Sequence, residues 1–167
     1  MSAAGERGDD HPLGPEALSE VFSHCADAYP DEACGFVCAT GRVRKCRNAQ
    51  DEFHARDTDR YPRNAANGYA ISLSDAVFLD ASLSSDDPVR VVFHSHPDAD
   101  AYLSDEDIRS ALVDGSPILP VYHLVVAVQG AAVAEARLYR FIERAFIEID
   151  RFDRAGASVA AREPPES

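Results

Sequence analysis

One stretch of this chain runs strand chemistry directly into metal-ligand chemistry, and any fold must be built around it. Pro88-Val89-Arg90-Val91-Val92-Phe93 is a β-branched and aromatic run, the pattern of a buried strand. His94-Ser95-His96-Pro97 follows at once. Side chains two apart on a strand share a face, so both imidazoles point to one spot while Ser95 points away. Pro97 cannot continue a central strand, so 97–101 should be a loop. Ser104 should then open a helix as its N-cap, with Ile108, Ala111 and Leu112 on the buried face and Asp107 in the first turn. A carboxylate beside a helix N-terminus is favoured in the ionised form that a metal requires.

Each part has an ordinary explanation. Ser104-x-x-Asp107 alone is a capping box, and two histidines at a strand end are often only solvated. Together they place His94, His96 and Asp107 where they can hold one zinc ion. Three protein ligands leave the fourth position to water, which separates catalytic from structural zinc. Capping and metal binding are compatible, because a cap fixes the carboxylate in place. Hydrolysis at such a site also needs a proton acceptor that is not itself a ligand. Glu32, in Tyr29-Pro30-Asp31-Glu32-Ala33-Cys34-Gly35-Phe36, lies just before an apolar segment, 34–39, that reads as a strand. On composition alone Asp31 and Glu106 are equal rivals for that role.

Glu32 together with His94-x-His96-Pro97-x6-Ser104-x2-Asp107 resembles the signature of the JAMM (MPN+) zinc metalloproteases. The Pro-Asp-Glu-Ala-Cys-Gly segment is similar to the start of their prokaryotic branch, and the resemblance spans roughly residues 15–141. It implies His94, His96 and Asp107 as zinc ligands and Glu32 as general base and then proton donor. It also implies that Ser104 steadies the water or the oxyanion. The implied fold is α/β, a cytidine-deaminase-like JAMM domain with a mixed central β-sheet flanked by helices. The implied activity is cleavage of an amide bond after the C-terminal diglycine of a ubiquitin-like or sulfur-carrier β-grasp protein, with a mild lean to the sulfur carrier. The alternatives are a deconjugating enzyme of a bacterial ubiquitin-like antiphage system and a catalytically silent scaffold that binds a ubiquitin-like partner. A zinc deaminase would require H-x-E and P-C-x-x-C, and neither occurs.

The remaining sequence fits one domain of 167 residues. We expect a flexible N-terminus over 1–12, the domain over 13–153 and a disordered tail over 154–167. The net charge of −13, from 16 basic and 29 acidic residues, argues against nucleic acid and against an anionic membrane surface. No apolar run reaches the ~20 residues of a membrane helix, and the polar start lacks a signal-peptide core, so a cytoplasmic location is the default. Cys25, Cys34, Cys38 and Cys46 lack paired C-x2-C knuckles and read as buried free thiols.

Periodicity predicts a helix over 15–28, strands over 34–39 and 42–47, a short strand over 68–72, a helix over 74–83 using Ala76, Val77, Leu79 and Ala81, and strands over 121–128 and 132–141. Gly115-Ser116-Pro117 should end the motif helix, and Gln129-Gly130 should make a turn. The polar stretch 48–66 reads as a substrate-binding or lid loop with His54 solvated in it. His123 reads as a core histidine rather than a further ligand. Residues 142–153 fit helix and strand patterns equally.

Overall fold

A computed structural model describes residues 11–159 of the chain. Its centre is a six-stranded mixed sheet in the order β2-β1-β3-β6-β7-β8. The strands are β1 (Cys34–Cys38), β2 (Val43–Cys46), β3 (Val89–Pro97), β6 (Tyr122–Gln129), β7 (Ala132–Ile142) and β8 (Ala145–Asp153). Only β3 and β6 run parallel; the other neighbours are antiparallel.

The two faces of the sheet bury different sets of side chains. Helix α1 (Pro15–Ala28) lays Leu18, Val21, Phe22 and Cys25 onto Phe93, Leu124 and Leu138. Pro15 sits in its first turn, where a missing N–H costs nothing. The other face carries Phe36, Val92, His94 and His96, because residues of the same parity share a side. Phe78 and Leu79 of α3 (Leu73–Ser82) pack on this side with Tyr69, Ile71 and Leu119, while α2 (Gln50–Arg56) precedes α3 in the chain and α4 (Asp105–Ala111) follows β3. Gly35 fits its place because the Phe93 ring lies over it: a Cβ there would overlap that ring and the Arg44 carbonyl. All four cysteines are buried and free.

The structure departs from the expected elements at several points. Stretch 48–66 is not all loop, since α2 forms within it, started by Asn48, whose Oδ1 accepts from the Gln50 N–H at 3.0 Å. This helix buries no residue, so it has no apolar stripe to read, and His54 is half-buried on it with its Nδ1 2.8 Å from the Tyr61 carbonyl. The strand over 68–72 reduces to one bridge, Asn48 to Ile71. Helix α3 starts at Leu73 and leaves Val77 61% exposed. It turns Phe78 and Leu79 inward because buried Asp75 anchors it to Arg44 Nε at 3.0 Å.

Pro97 ends β3 rather than following it, opposite Val128. Proline is tolerated at that terminal position because no further ladder donor is required. Helix α4 is short, so Ile108 and Ala111 are only half-buried and Leu112 opens a small hairpin, β4 (Leu112–Val113) with β5 (Ser116–Pro117). The turn before β7 is Gly130-Ala131, both at positive φ, one residue later than expected. Of residues 142–153, Ile142 ends β7, Glu143 and Arg144 turn the chain back, both at positive φ, and Ala145–Asp153 settle as β8. Order also continues past 153, where Ser158 bridges to Phe152. The rest of the expected tail, 160–167, and residues 1–10 of the expected flexible start lie outside the described residues.

Candidate metal centre

The last turn of strand β3 and the first turn of α4 bring three donor atoms together. His94 Nε2 lies 3.1 Å from His96 Nε2 and 3.2 Å from Asp107 Oδ2, and His96 Nε2 lies 3.4 Å from the same oxygen. Bonds of ~2.0–2.1 Å to a tetrahedral ion give ligand–ligand edges of about 3.3 Å. The triangle therefore already has the size of one face of a zinc coordination tetrahedron. Ser95 points to the other side, fully buried, where its Oγ accepts from the Ala33 N–H at 2.8 Å.

The supporting contacts fix which atoms face the triangle. His96 Nδ1 lies 2.9 Å from the Asp100 carbonyl, which can only accept, so that nitrogen carries a proton and Nε2 is the ring atom turned to the triangle. Asp107 is held by a full capping box: its N–H donates to Ser104 Oγ at 3.1 Å and its Oδ2 accepts from the Ser104 N–H at 3.0 Å. The Tyr69 ring stacks on His94 at 4.7 Å and 22°. His94 Nδ1 is buried and has no hydrogen-bond partner among the described residues.

Charge follows from burial and neighbours. Burial lowers the His94 pKa and favours its neutral form. Burial acts the same way on His96, but Asp107, the Asp100 carbonyl and Glu32 outweigh it and the net shift is upward. Burial alone would raise Asp107; hydrogen bonds from both imidazoles and from Ser104 reverse this and hold it well below the usual carboxylate range. A neutral imidazole and an ionised carboxylate are the forms a divalent cation binds.

Of the three carboxylates that composition could not separate, Glu32 alone is buried beside this group, at 8% exposure. Its N–H donates to the Ala65 carbonyl at 2.7 Å, and its own carbonyl accepts from Asn48 Nδ2 at 2.9 Å. The next residue, Ala33, pairs with Ser95, which sets Glu32 alongside His96. Burial pushes its carboxyl up to about 7, with His96 opposing, Asp107 adding and Arg63 opposing. Asp31 is exposed and does not line the cavity. Glu106 lines it but faces Arg109 at 3.1 Å.

Glu32, His96, Ser104 and Asp107 open into one cavity of about 680 Å³. His123, half-buried against the Phe146 ring at 5.2 Å, also reaches it. Burial and the nearby His94 push His123 down to about 4, which leaves it neutral. It is not part of the close donor group. Sequence reasoning missed Tyr69 and Arg63, which line the cavity, and Asn48, which braces Glu32. Asn48 Nδ2 ties the Glu32 carbonyl to the Gly68 carbonyl, at 2.9 and 3.0 Å. Nothing in the spacing of a polar loop signals such a bond.

Known proteins share this chain's family and fold. The family model described as prokaryotic homologs of the JAB domain matches residues 15–142. No curated protein matches the chain. Among solved structures, a protein from Desulfitobacterium hafniense superposes with a TM-score of 0.56 at 17% identity, covering 80% of this chain and 85% of its own. A protein from Salinibacter ruber superposes with a TM-score of 0.50 at 23% identity, covering 92% of this chain and 95% of its own. At those identities the likeness is one of fold.

Proposed function

The chain belongs to the prokaryotic homologs of the JAB domain, and on that footing we propose that it is a zinc-dependent hydrolase. Its substrate is the amide bond after the C-terminal diglycine of a ubiquitin-like or sulfur-carrier protein. One observation carries this reading: the three-donor group opens through His96 and Asp107 into a single cavity that is also lined by a second carboxylate, the buried Glu32. Two imidazoles and a carboxylate suit zinc, although iron also uses that donor set, so the metal is to be measured and not assumed.

His94, His96 and Asp107 would hold the ion, which supplies Lewis-acid polarisation of the scissile carbonyl and acidifies water towards ~7. The chain's own groups do the rest. Glu32 takes the proton of the attacking water and passes it to the leaving amine. A carboxyl pushed up to about 7 suits both halves of that task near neutral pH. Ser104 Oγ accepts from the Asp107 N–H and still has its own proton to donate to the oxygen on which charge develops. Tyr69 and the buried strand end shield the imidazoles from bulk water.

The test combines metal analysis with a panel of β-grasp fusion proteins whose tails continue past Gly-Gly. Stoichiometric zinc and a new terminus at the second glycine are expected by mass spectrometry. Stoichiometric zinc with every tail intact would favour the silent scaffold instead, and a chain that takes up no metal would end the proposal.

A further inference from the structure

We infer that the proposed hydrolase acts at the very end of a chain: the group leaving from behind the scissile amide is a small one with a free α-carboxylate, bound by Arg63 and Arg60 on the cavity wall. This rests on the hydrolase reading and narrows it from amide bonds in general to terminal peptide bonds.

The charges around the cavity carry the inference. Several arginines of this acidic chain face carboxylates, as Arg44 faces Asp75 and Arg137 faces Glu135, while Arg56 and Arg140, outside the cavity, lie over the Phe53 and Tyr122 rings. Arg60 and Arg63 both line the cavity, and among the described residues neither faces a carboxylate. Arg60 lies over the Tyr61 ring at 5.4 Å, and Arg63 reaches only the Asn67 carbonyl, at 3.4 Å. The acids of the same cavity are otherwise engaged: Asp107 with the imidazoles, Glu106 with Arg109, and Glu32 beside His96. Two cationic forks therefore remain for an anion brought in from outside, and a carboxylate matches the guanidinium bidentately.

Arg63 is also held in place. Its stem packs against Gly68, where an added Cβ would meet Arg63 Cβ at 3.2 Å and Cδ at 3.4 Å. Its carbonyl accepts from Gln50 Nε2 at 2.8 Å. The Ala65 carbonyl and the Asn48 amide then fasten this loop to both backbone polar groups of Glu32. Arg63 is near enough to Glu32 to favour its ionised form. Arg63 thus brings a positive charge to the lining of the same cavity as the proposed proton shuttle.

The chemistry of possible leaving groups then discriminates. A residue joined through its α-amine at a chain end has its carboxylate three bonds' reach from the scissile nitrogen. A lysine joined through its ε-amine inside a folded protein has no free α-carboxylate at all. In the reaction one water is consumed, the C–N bond breaks and a C–O bond forms. The tail leaves as a carboxylate, and the released amino acid takes up the proton on its amine. A cavity of about 680 Å³ accommodates a short peptide end.

Binding separates this inference from the catalytic reading. Zinc-loaded Glu32→Gln protein is titrated by NMR with acetyl-Gly-Gly-Ala as free acid and as C-terminal carboxamide. The acid should bind roughly 10- to 100-fold more tightly, the scale of a charge-assisted contact. R60Q/R63Q should bring the acid down to the amide's affinity; both side chains are exposed, so the fold does not depend on them. Equal affinity of acid and amide in the parent, or a preference that survives R60Q/R63Q, would overturn the inference. With unmodified enzyme, a Gly-Gly-Ala tail should be cut with lower KM as the acid than as the amide. Equal cleavage of a lysine isopeptide would overturn this inference and leave the hydrolase intact. Failure to cut any of the three tails would remove the hydrolase and this inference together.

Discussion

His94 and His96 come from one strand, and Asp107 comes from the first turn of the helix that follows it in the chain. The facing wall draws Glu32 from before β1 and Arg60, Arg63 and Tyr69 from the segment between α2 and α3, braced by Asn48 from after β2. The first wall is held by backbone geometry: the two-residue repeat of a strand and one capping box. The second is held by side chain to backbone bonds between distant residues, chiefly those of Asn48. The same cavity thus contains two carboxylates with opposite fates. Asp107, bonded by its own helix and by two imidazoles, is kept ionised, whereas Glu32, buried with fewer donors, is pushed up to about 7. Separating two acids in this way is how one site obtains a ligand and a proton carrier from the same functional group.

Breaking the first wall should cost most. Asp107→Ala should abolish both metal uptake and hydrolysis, read by metal analysis and turnover; full zinc occupancy in that variant would remove the assigned ligand set. Glu32→Gln should separate the walls. We expect stoichiometric metal with kcat down about 10²–10⁴-fold, and unchanged kcat would dismiss Glu32 as the base. Ser104→Ala touches both functions of the first wall. Loss of its hydroxyl donor should lower kcat about 10²-fold. Loss of the cap should lower stability by about 1 kcal/mol.

Two smaller effects sharpen the difference between the acids. Glu32 has its folded pKa raised from 4.5 to about 7, so its contribution to stability is complete below about pH 4.5 and is lost as pH rises through 7. In chelator-treated protein, unfolding free energies of the parent and Glu32→Gln should diverge across that window, the parent losing roughly 3 kcal/mol more. A flat difference would show that Glu32 is not strained by burial. Asn48→Ala removes the amide that ties Glu32 to Gly68 and should destabilise the fold by about 1–3 kcal/mol. Metal content should stay intact while kcat falls. Loss of metal in that variant would mean that the two walls are not independently built.

Much of the first wall was legible in the residues. Period two put His94 and His96 on one face, and Ser104-x-x-Asp107 fixed the carboxylate at a helix start. Element boundaries failed where packing rather than pattern decided. Polar α2 buries nothing and so shows no stripe, and Val77 fits a helical period yet faces outward because buried Asp75 sets the rotation of α3.

The order of residues alone determined the donor set of this protein, because neighbouring side chains on a strand and a capped helix turn have directions fixed by local stereochemistry. It left Glu32, Asp31 and Glu106 equivalent, and it left Asn48 and Arg63 as ordinary loop residues. Tertiary structure chose among them. In the proposed function a carboxyl group serves as proton carrier through burial beside particular neighbours, and an arginine serves a ligand through the want of a carboxylate partner. Both conditions are set by chain segments far apart in sequence.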